Sequence, residues 1–248
     1  MAPDLVAGER ARVFWTGGWD STFRLLQALF IENRTVEPHY LVDPGRESTL
    51  HEVRAMHAIR AAVAERLDEP ARLLPTRMMM RTEVPPVDAL RQTYGRIREQ
   101  VRIGSQYLWL AEYCHLRNLH GVELCMEHAE PPAALQHFLF ADRATVPPRF
   151  HDRPETALFG RFRFPTLHLT KQAMREMASH HGLLDILERS WFCHRPVLGK
   201  PCGSCWPCRM AQRAGQEVEY VPFRRVFFAL HVAKTRWRKL RGRTRSRW

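Results

Sequence analysis

No apolar run in this 248-residue chain approaches the eighteen or so residues that a membrane-spanning helix needs. The N-terminus also lacks the basic stretch and apolar core of a secretory signal, so a cytoplasmic protein is expected. Cysteine is sparse at six residues. In a reducing compartment so few thiols point to metal binding before disulfides. There are no internal repeats, and no low-complexity block other than a basic C-terminal tail. The commoner nucleotide loop, GxxxxGK[ST], is absent as well.

Acidic residues are the other shortage, with 26 Asp and Glu against 38 Lys and Arg, a formal net charge of +12. The imbalance is local. From Arg224 to Trp248 there are ten Lys or Arg and no acidic residue. Taking those ten from 38 leaves 28 basic against 26 acidic residues, so the body is nearly neutral. In the tail Val226, Leu230, Ala233, Trp237 and Leu240 recur at helical spacing, and basic residues fill the other faces. A docking helix for a polyanion or an acidic protein surface is expected there, though a final helix packed on the body would leave the same pattern.

The most informative stretch is Arg12 to Thr22. Val13-Phe14-Trp15 is a short apolar run, Gly17-Gly18 a turn, and Trp19-Asp20-Ser21-Thr22 opens an apolar-periodic segment from Phe23 to Phe30. This order predicts a strand, a tight turn and the first turn of a helix. Glycine permits left-handed backbone angles and close approach to the main chain. The helix start adds unpaired N–H groups and the positive end of the dipole, and Ser21 and Thr22 add hydroxyls. Such a construction binds phosphate.

Downstream, Thr35 to Asp43 reads as a second strand, turned by Pro44-Gly45. Thr49-Leu50-His51-Glu52 reads as a capping box opening a helix that runs to Leu67. A weaker strand, broken by Pro75, covers Arg72 to Met80. Helices are expected over Val87–Val101 and Gln106–Leu119, and a short buried strand over Gly121–Met126. Alternating strands and helices imply an α/β fold, a parallel sheet with helices on both faces. From Glu127 to Pro165 the pattern dissolves into an irregular connection of the kind that forms lids or binding surfaces. Thr170 then caps a helix from Lys171 to His181, ended by Gly182.

Near the C-terminus Cys193, Cys202, Cys205 and Cys208 fall within sixteen residues. Two-residue gaps, with glycine and proline for the turns, suit a closed four-thiolate zinc site, and His194 is a weaker candidate ligand. Cys114 and Cys125 lie in apolar surroundings and are expected in the core. The chain divides accordingly into a nucleotide-binding α/β domain (1–190), a zinc-binding segment (191–222) and the basic tail (223–248).

Gly17-Gly18-Trp19-Asp20-Ser21-Thr22, Leu169-Thr170-Lys171, and Ser190-Trp191-Phe192-Cys193 running into Cys202-Gly203-Ser204-Cys205-Trp206-Pro207-Cys208-Arg209 together resemble the 7-cyano-7-deazaguanine synthase (QueC) family of queuosine biosynthesis. That family belongs to the PP-loop ATP pyrophosphatases, and the resemblance covers roughly residues 10 to 215. Thr16 stands where the loop usually has serine. The resemblance implies an adenine-nucleotide α-hydrolase-like fold with structural Zn²⁺. It also implies ATP- and Mg²⁺-dependent activation of a carboxylate, 7-carboxy-7-deazaguanine, with release of pyrophosphate and attack of ammonia on the acyl adenylate; the family then dehydrates the amide to a nitrile. The candidate ATP and pyrophosphate contacts are Thr16, Gly17, Gly18, Asp20, Ser21, Thr22 and, after the second strand, Asp43. Ser21, Asp20 and Lys171 are the candidate catalytic residues. For Asp20 this means orienting the loop, and for Lys171 reaching the phosphates.

Two segments depart from the family. Arg102-Ile103-Gly104-Ser105 replaces an Arg-Asn step, and Cys125-Met126-Glu127-His128-Ala129-Glu130-Pro131-Pro132 replaces a substrate segment ending in Asp-Cys-Arg. A different acyl acceptor, such as an amine on a protein or nucleic acid, and an antiviral-defence setting by analogy, are therefore open. So are a PP-loop tRNA-modifying enzyme and a non-catalytic binding module that kept the fold. The sequence leaves the oligomeric state undecided.

Overall fold

A computed structural model of the chain describes residues 10–126, 128, 134–213 and 218–221. The chain forms two compact units. One comprises the chain up to Pro44 together with Glu52–Trp191, and the other Gly45–His51 together with the chain from Phe192 onward. The basic tail and its expected helix lie outside the described residues.

The first unit is built on five parallel strands: β1 (Ala11–Phe14), β2 (Val36–Val42), β3 (Arg77–Met80), β4 (Val122–Glu123) and β7 (Phe162–Arg163). Their order across the sheet is β3-β2-β1-β4-β7. The winding runs outward from β1 through β2 to β3 and in the other direction through β4 to β7. The reversal falls between β1 and β4, and in open α/β sheets ligands bind beyond the carboxyl ends of the strands at that switch.

Alternating side chains send the two faces of the sheet into separate cores. Val13, Trp15, Val36 and Tyr40 pack with helices α1 (Trp19–Leu26), α2 (Thr49–Arg66), α6 (Lys171–His180) and α7 (Leu184–Leu187). Phe14 and Leu41 pack the opposite way with α3 (Asp88–Gln100), α4 (Gln106–Leu116) and α5 (Ala134–Leu139). The parallel sheet covered by helices on both faces is therefore the α/β architecture expected from the alternation of elements.

Three local expectations change. The strand expected over Arg72 to Met80 is shorter, because Pro70–Arg72 forms a 3-10 turn and pairing resumes only at Arg77, apart from a bridge at Leu73. Helix α1 does not continue regularly to Phe30 but passes into a π turn over Gln27–Ile31. In the connection expected to form a lid or binding surface, the described residues from Ala134 to Pro165 send Leu135, Phe138, Phe140, Phe159, Phe162 and Phe164 into the core. They supply α5, a small antiparallel pair of β5 (Phe140–Asp142) and β6 (Arg149–Phe150), a 3-10 turn over Pro154–Phe159, and the edge strand β7. Its phenylalanines stack on one another, with ring centroids 4.7 Å apart for Phe140–Phe150 and 5.2 Å for Phe140–Phe164. Aromatic burial of this kind needs no periodicity, which is why it left no pattern to read.

Candidate functional site: the phosphate loop and the four-cysteine cluster

β1 runs straight into the loop, since Trp15 N donates to His39 O on β2 at 2.9 Å. Thr16-Gly17-Gly18 then turns the chain into α1. Gly17 takes φ +67°, and a Cβ there would lie 3.0 Å from Glu52 O and 3.1 Å from Met56 Cγ. Only glycine satisfies both the angle and the space against α2. Gly18 is different: it is the N-cap of α1 at φ −83°, ψ 165°, angles any residue adopts. The conformational demand of the pair therefore rests on Gly17, while Gly18 keeps the approach to the helix start clear. The first helical bond is Thr22 N to Gly18 O at 2.9 Å, so the N–H groups of Trp19, Asp20 and Ser21 have no helical acceptor.

The side chains of this turn divide between fold and opening. Thr22 is fully buried, and its Oγ1 accepts from Trp15 Nε1 at 3.0 Å, tying the helix to the strand it follows. Ser21 is nearly buried and donates to Gly18 O at 3.3 Å. Asp20 faces outward enough to meet Lys171, whose Nζ lies 3.3 Å from its Oδ1. Lys171 is the first residue of α6, whose start is fixed by Thr170 Oγ1 accepting from Ala173 N at 3.1 Å. Residues 151 positions apart thus meet where two helix N-termini converge. Asp43 follows β2 on the same carboxyl edge, with Arg81 Nη1 at 3.6 Å from its Oδ2.

Several supports of the loop carried no sequence signal. Trp191 N donates to Gly17 O at 2.8 Å, so the chain just before Phe192 closes over the turn. Glu52 is buried and accepts from Tyr40 Oη at 2.8 Å, joining α2 to β2. Behind the loop, Arg24 on α1 donates to both carboxylate oxygens of Glu123, at 2.7 and 3.0 Å, and pairs with Glu32. Arg34 joins from 3.3 Å to Glu32 and 3.4 Å to Glu123. Burial alone would pull the Arg24 pKa down, but hydrogen bonds to Glu123 and Glu32 outweigh it and push it up. The one hint was Arg24 interrupting the apolar run Phe23 to Leu26.

Cys114 and Cys125 lie on opposite faces of the sheet. Burial raises both thiol pKa values, that of Cys114 to about 12. Neither has the character of a reactive thiolate.

In the second unit the four sequence-predicted cysteines come together. Their Sγ atoms all lie within 4.8 Å of one another. Cys202–Cys208 and Cys193–Cys205 are 3.9 Å apart, and Cys205–Cys208 3.3 Å. A tetrahedral zinc with bonds of about 2.3 Å spaces its sulfurs by roughly 3.8 Å. The cluster is therefore compatible with zinc. Backbone N–H groups already point at the sulfurs: Cys202 N at 3.2 Å from Cys193 Sγ, and Ser204 N and Cys205 N at 3.4 and 3.3 Å from Cys202 Sγ. Such donors stabilise thiolate charge and orient metal ligands. Four thiolates would fill a tetrahedral ion's coordination, the donor set that suits a structural metal.

Neither a protein-family model nor a curated protein sequence matches the chain. Among solved structures it is similar to 4-thiouridine synthetase, in a crystal structure of that enzyme with RNA and bound ATP, at 14% identity and a TM-score of 0.40. The match covers 84% of this chain and 50% of that one, so this chain spans half the length of that enzyme.

Proposed function

We propose that the protein is a PP-loop enzyme that splits ATP into AMP and pyrophosphate to activate a carboxylate. The observation that carries this reading is the meeting of Lys171 with Asp20 at the mouth of the Gly17-Gly18 turn, 3.3 Å apart, on the carboxyl edge where the strand order reverses. A carboxylate is a poor electrophile until it is joined to AMP. The departing pyrophosphate carries several negative charges, and donors held rigidly where that charge grows lower the barrier. The N–H groups at the start of α1, the Ser21 hydroxyl and the Lys171 ammonium suit that work. Asp20 would hold Lys171 in position, and Asp43, on the same carboxyl edge, would contact the adenosine. Mg²⁺, when bound with ATP, would neutralise phosphate charge. The four cysteines would hold Zn²⁺ as a structural ion.

The finer reading is QueC-like: 7-carboxy-7-deazaguanine as the acid, with ammonia or another amine taking the acyl group. Its support is the order of the three motifs, and an antiviral-defence setting is an extension by analogy. The basic tail would dock a polyanionic or acidic partner. Thiolation of a tRNA base is less well supported, because Cys114 and Cys125 are separated by the sheet and the other cysteines are gathered in one closed cluster.

Incubation with ATP, Mg²⁺ and 7-carboxy-7-deazaguanine, followed by nucleotide and mass analysis, tests both levels. AMP, pyrophosphate and a deazaguanine amide or nitrile are expected. ADP and phosphate would refute the PP-loop reading, and AMP formed with another acid only would refute the deazaguanine.

A further inference from the structure

The strand order reverses between β1 and β4, and the crevice that opens there has two walls. One is β1, the Gly17-Gly18 turn and the start of α1. The other is the end of β4 and the chain that follows it. The two strands pair in parallel, with Val13 opposite Glu123. Beyond Glu123, hydrogen bonds carry the second wall round to the first. Thr166 is fully buried and donates from Oγ1 to Met126 O at 2.9 Å. His128 N donates to Leu169 O at 2.7 Å. Thr170 then caps α6, and Lys171 returns to Asp20 on α1. A closed circuit of contacts therefore rings the crevice, and Lys171–Asp20 is its half-buried member.

The buried member is Arg24. It holds Glu123 as a fork, Nε at 2.7 Å from Oε2 and Nη2 at 3.0 Å from Oε1. Bidentate pairing fixes an orientation as well as a distance. Glu32 grips the same guanidinium from its other side, with Oε2 accepting from Nη2 at 2.9 Å. The π turn puts Glu32 there, since Glu32 N donates to Gln27 O, five residues back, at 2.9 Å. It is the one π segment among the described residues, and such turns recur at functional sites. Arg34 reaches both carboxylates, so two cations meet two anions. A buried neutral network of this kind adds little stability over apolar packing of the same volume. What it supplies instead is a single defined geometry.

We propose that Arg24 is a positioning residue: its fork on Glu123 sets the width of the β1–β4 crevice, and with it the distance between a nucleotide held at α1 and a co-substrate on the β4 side. The kinetic half of this inference rests on the proposed ATP chemistry, and the geometric half does not. Arg24 and Glu123 are both buried and closed off from any ligand. Their effect therefore falls on the reacting distance and not on the binding of ATP.

The test replaces the pair with apolar residues, Arg24→Met together with Glu123→Leu, in the full-length protein, leaving Arg34 to pair with Glu32. The fold should survive, with a thermal midpoint at or above that of the wild type. The analogue α,β-methylene-ATP should bind as tightly as before. The kcat for AMP formation should fall about 100-fold, the cost of a misplacement of about 1 Å. A second readout needs no turnover. Cys125 lies at the end of β4, where the charges of Glu123, Arg24 and Asp20 all act on its thiol. In a loosened crevice iodoacetamide should alkylate it several times faster, as located by mass spectrometry, while Cys114 on the opposite face stays unchanged. Arg24→Lys keeps the charge without the fork and should share the faster labelling. Cys125 labelling equal to wild type in the double variant would overturn the proposal, and so would an unchanged kcat. Nucleotide binding weakened in step with the rate would make the pair merely structural and overturn it as well. If the wild type forms no AMP while the double variant exposes Cys125, the ATP reading fails and the crevice role of Arg24 stands.

Discussion

Two adjacent glycines should respond to alanine in opposite ways. Gly17→Ala puts a Cβ on a residue at φ +67°, where an L-residue costs roughly 1–2 kcal/mol. The same Cβ would stand 3.0 Å from Glu52 O, 3.1 Å from Met56 Cγ and 3.3 Å from Ala55 Cβ. Two of these belong to backbone or to a short side chain on α2 that cannot swing aside, so overpacking adds about 1–3 kcal/mol. The sum is about 2–5 kcal/mol. In a protein of this size that lowers the thermal midpoint by roughly 4–20 °C. Gly18→Ala meets only Thr16 Oγ1 at 3.3 Å and Trp191 O at 3.6 Å, at ordinary φ. It should cost less than about 1 kcal/mol in stability. Its methyl group, however, would stand where the phosphates approach the start of α1, so ATP affinity should fall. Differential scanning fluorimetry and urea titration, with AMP release measured on the same samples, separate the two effects. Equal stability loss in both variants, or a Gly17→Ala protein as stable as wild type, would refute this account of the loop.

Lys171→Ala should reduce AMP formation by about 100- to 1000-fold, the range for a donor to developing negative charge, with little effect on stability since the side chain is one-third exposed; an unchanged rate would remove Lys171 from the site. The purified protein should contain about one zinc per chain, and Cys205→Ala or a strong chelator should release it and unfold the second unit, as followed by metal analysis and circular dichroism. His39 should make the fold acid-sensitive. Burial first, with Arg12, Arg77 and Arg117 adding to it against the pull of Glu37, brings its pKa from 6.5 to about 4. A group depressed in the folded state costs nothing above pH 6.5, and it loses stability as pH falls from there towards 4, up to about 3 kcal/mol in all. The gap between wild type and His39→Gln in urea titrations at pH 7 and pH 4 measures that loss, and a gap independent of pH would refute it.

The sequence by itself determined the elements that follow from short-range rules. The strand-turn-helix at Gly17-Gly18, the Thr170 cap and the four-cysteine spacing are local, because capping, turn angles and metal-ligand gaps depend on residues a few positions apart. Alternating strands and helices were enough to imply a parallel sheet covered on both faces. Tertiary structure alone decided the rest. It brought Lys171 to Asp20, turned Thr22 inward to hold Trp15, and assigned the glycine requirement to Gly17 through the backbone of α2. It also made Phe140, Phe159 and Phe162 part of the core where the sequence showed only an irregular connection, and buried Arg24 against Glu123, 99 residues away. The physical reason is common to all of these. A buried charge or hydroxyl must find its partner in space, and an aromatic ring its neighbours. No periodicity along the chain records which distant residue the fold will bring to meet it.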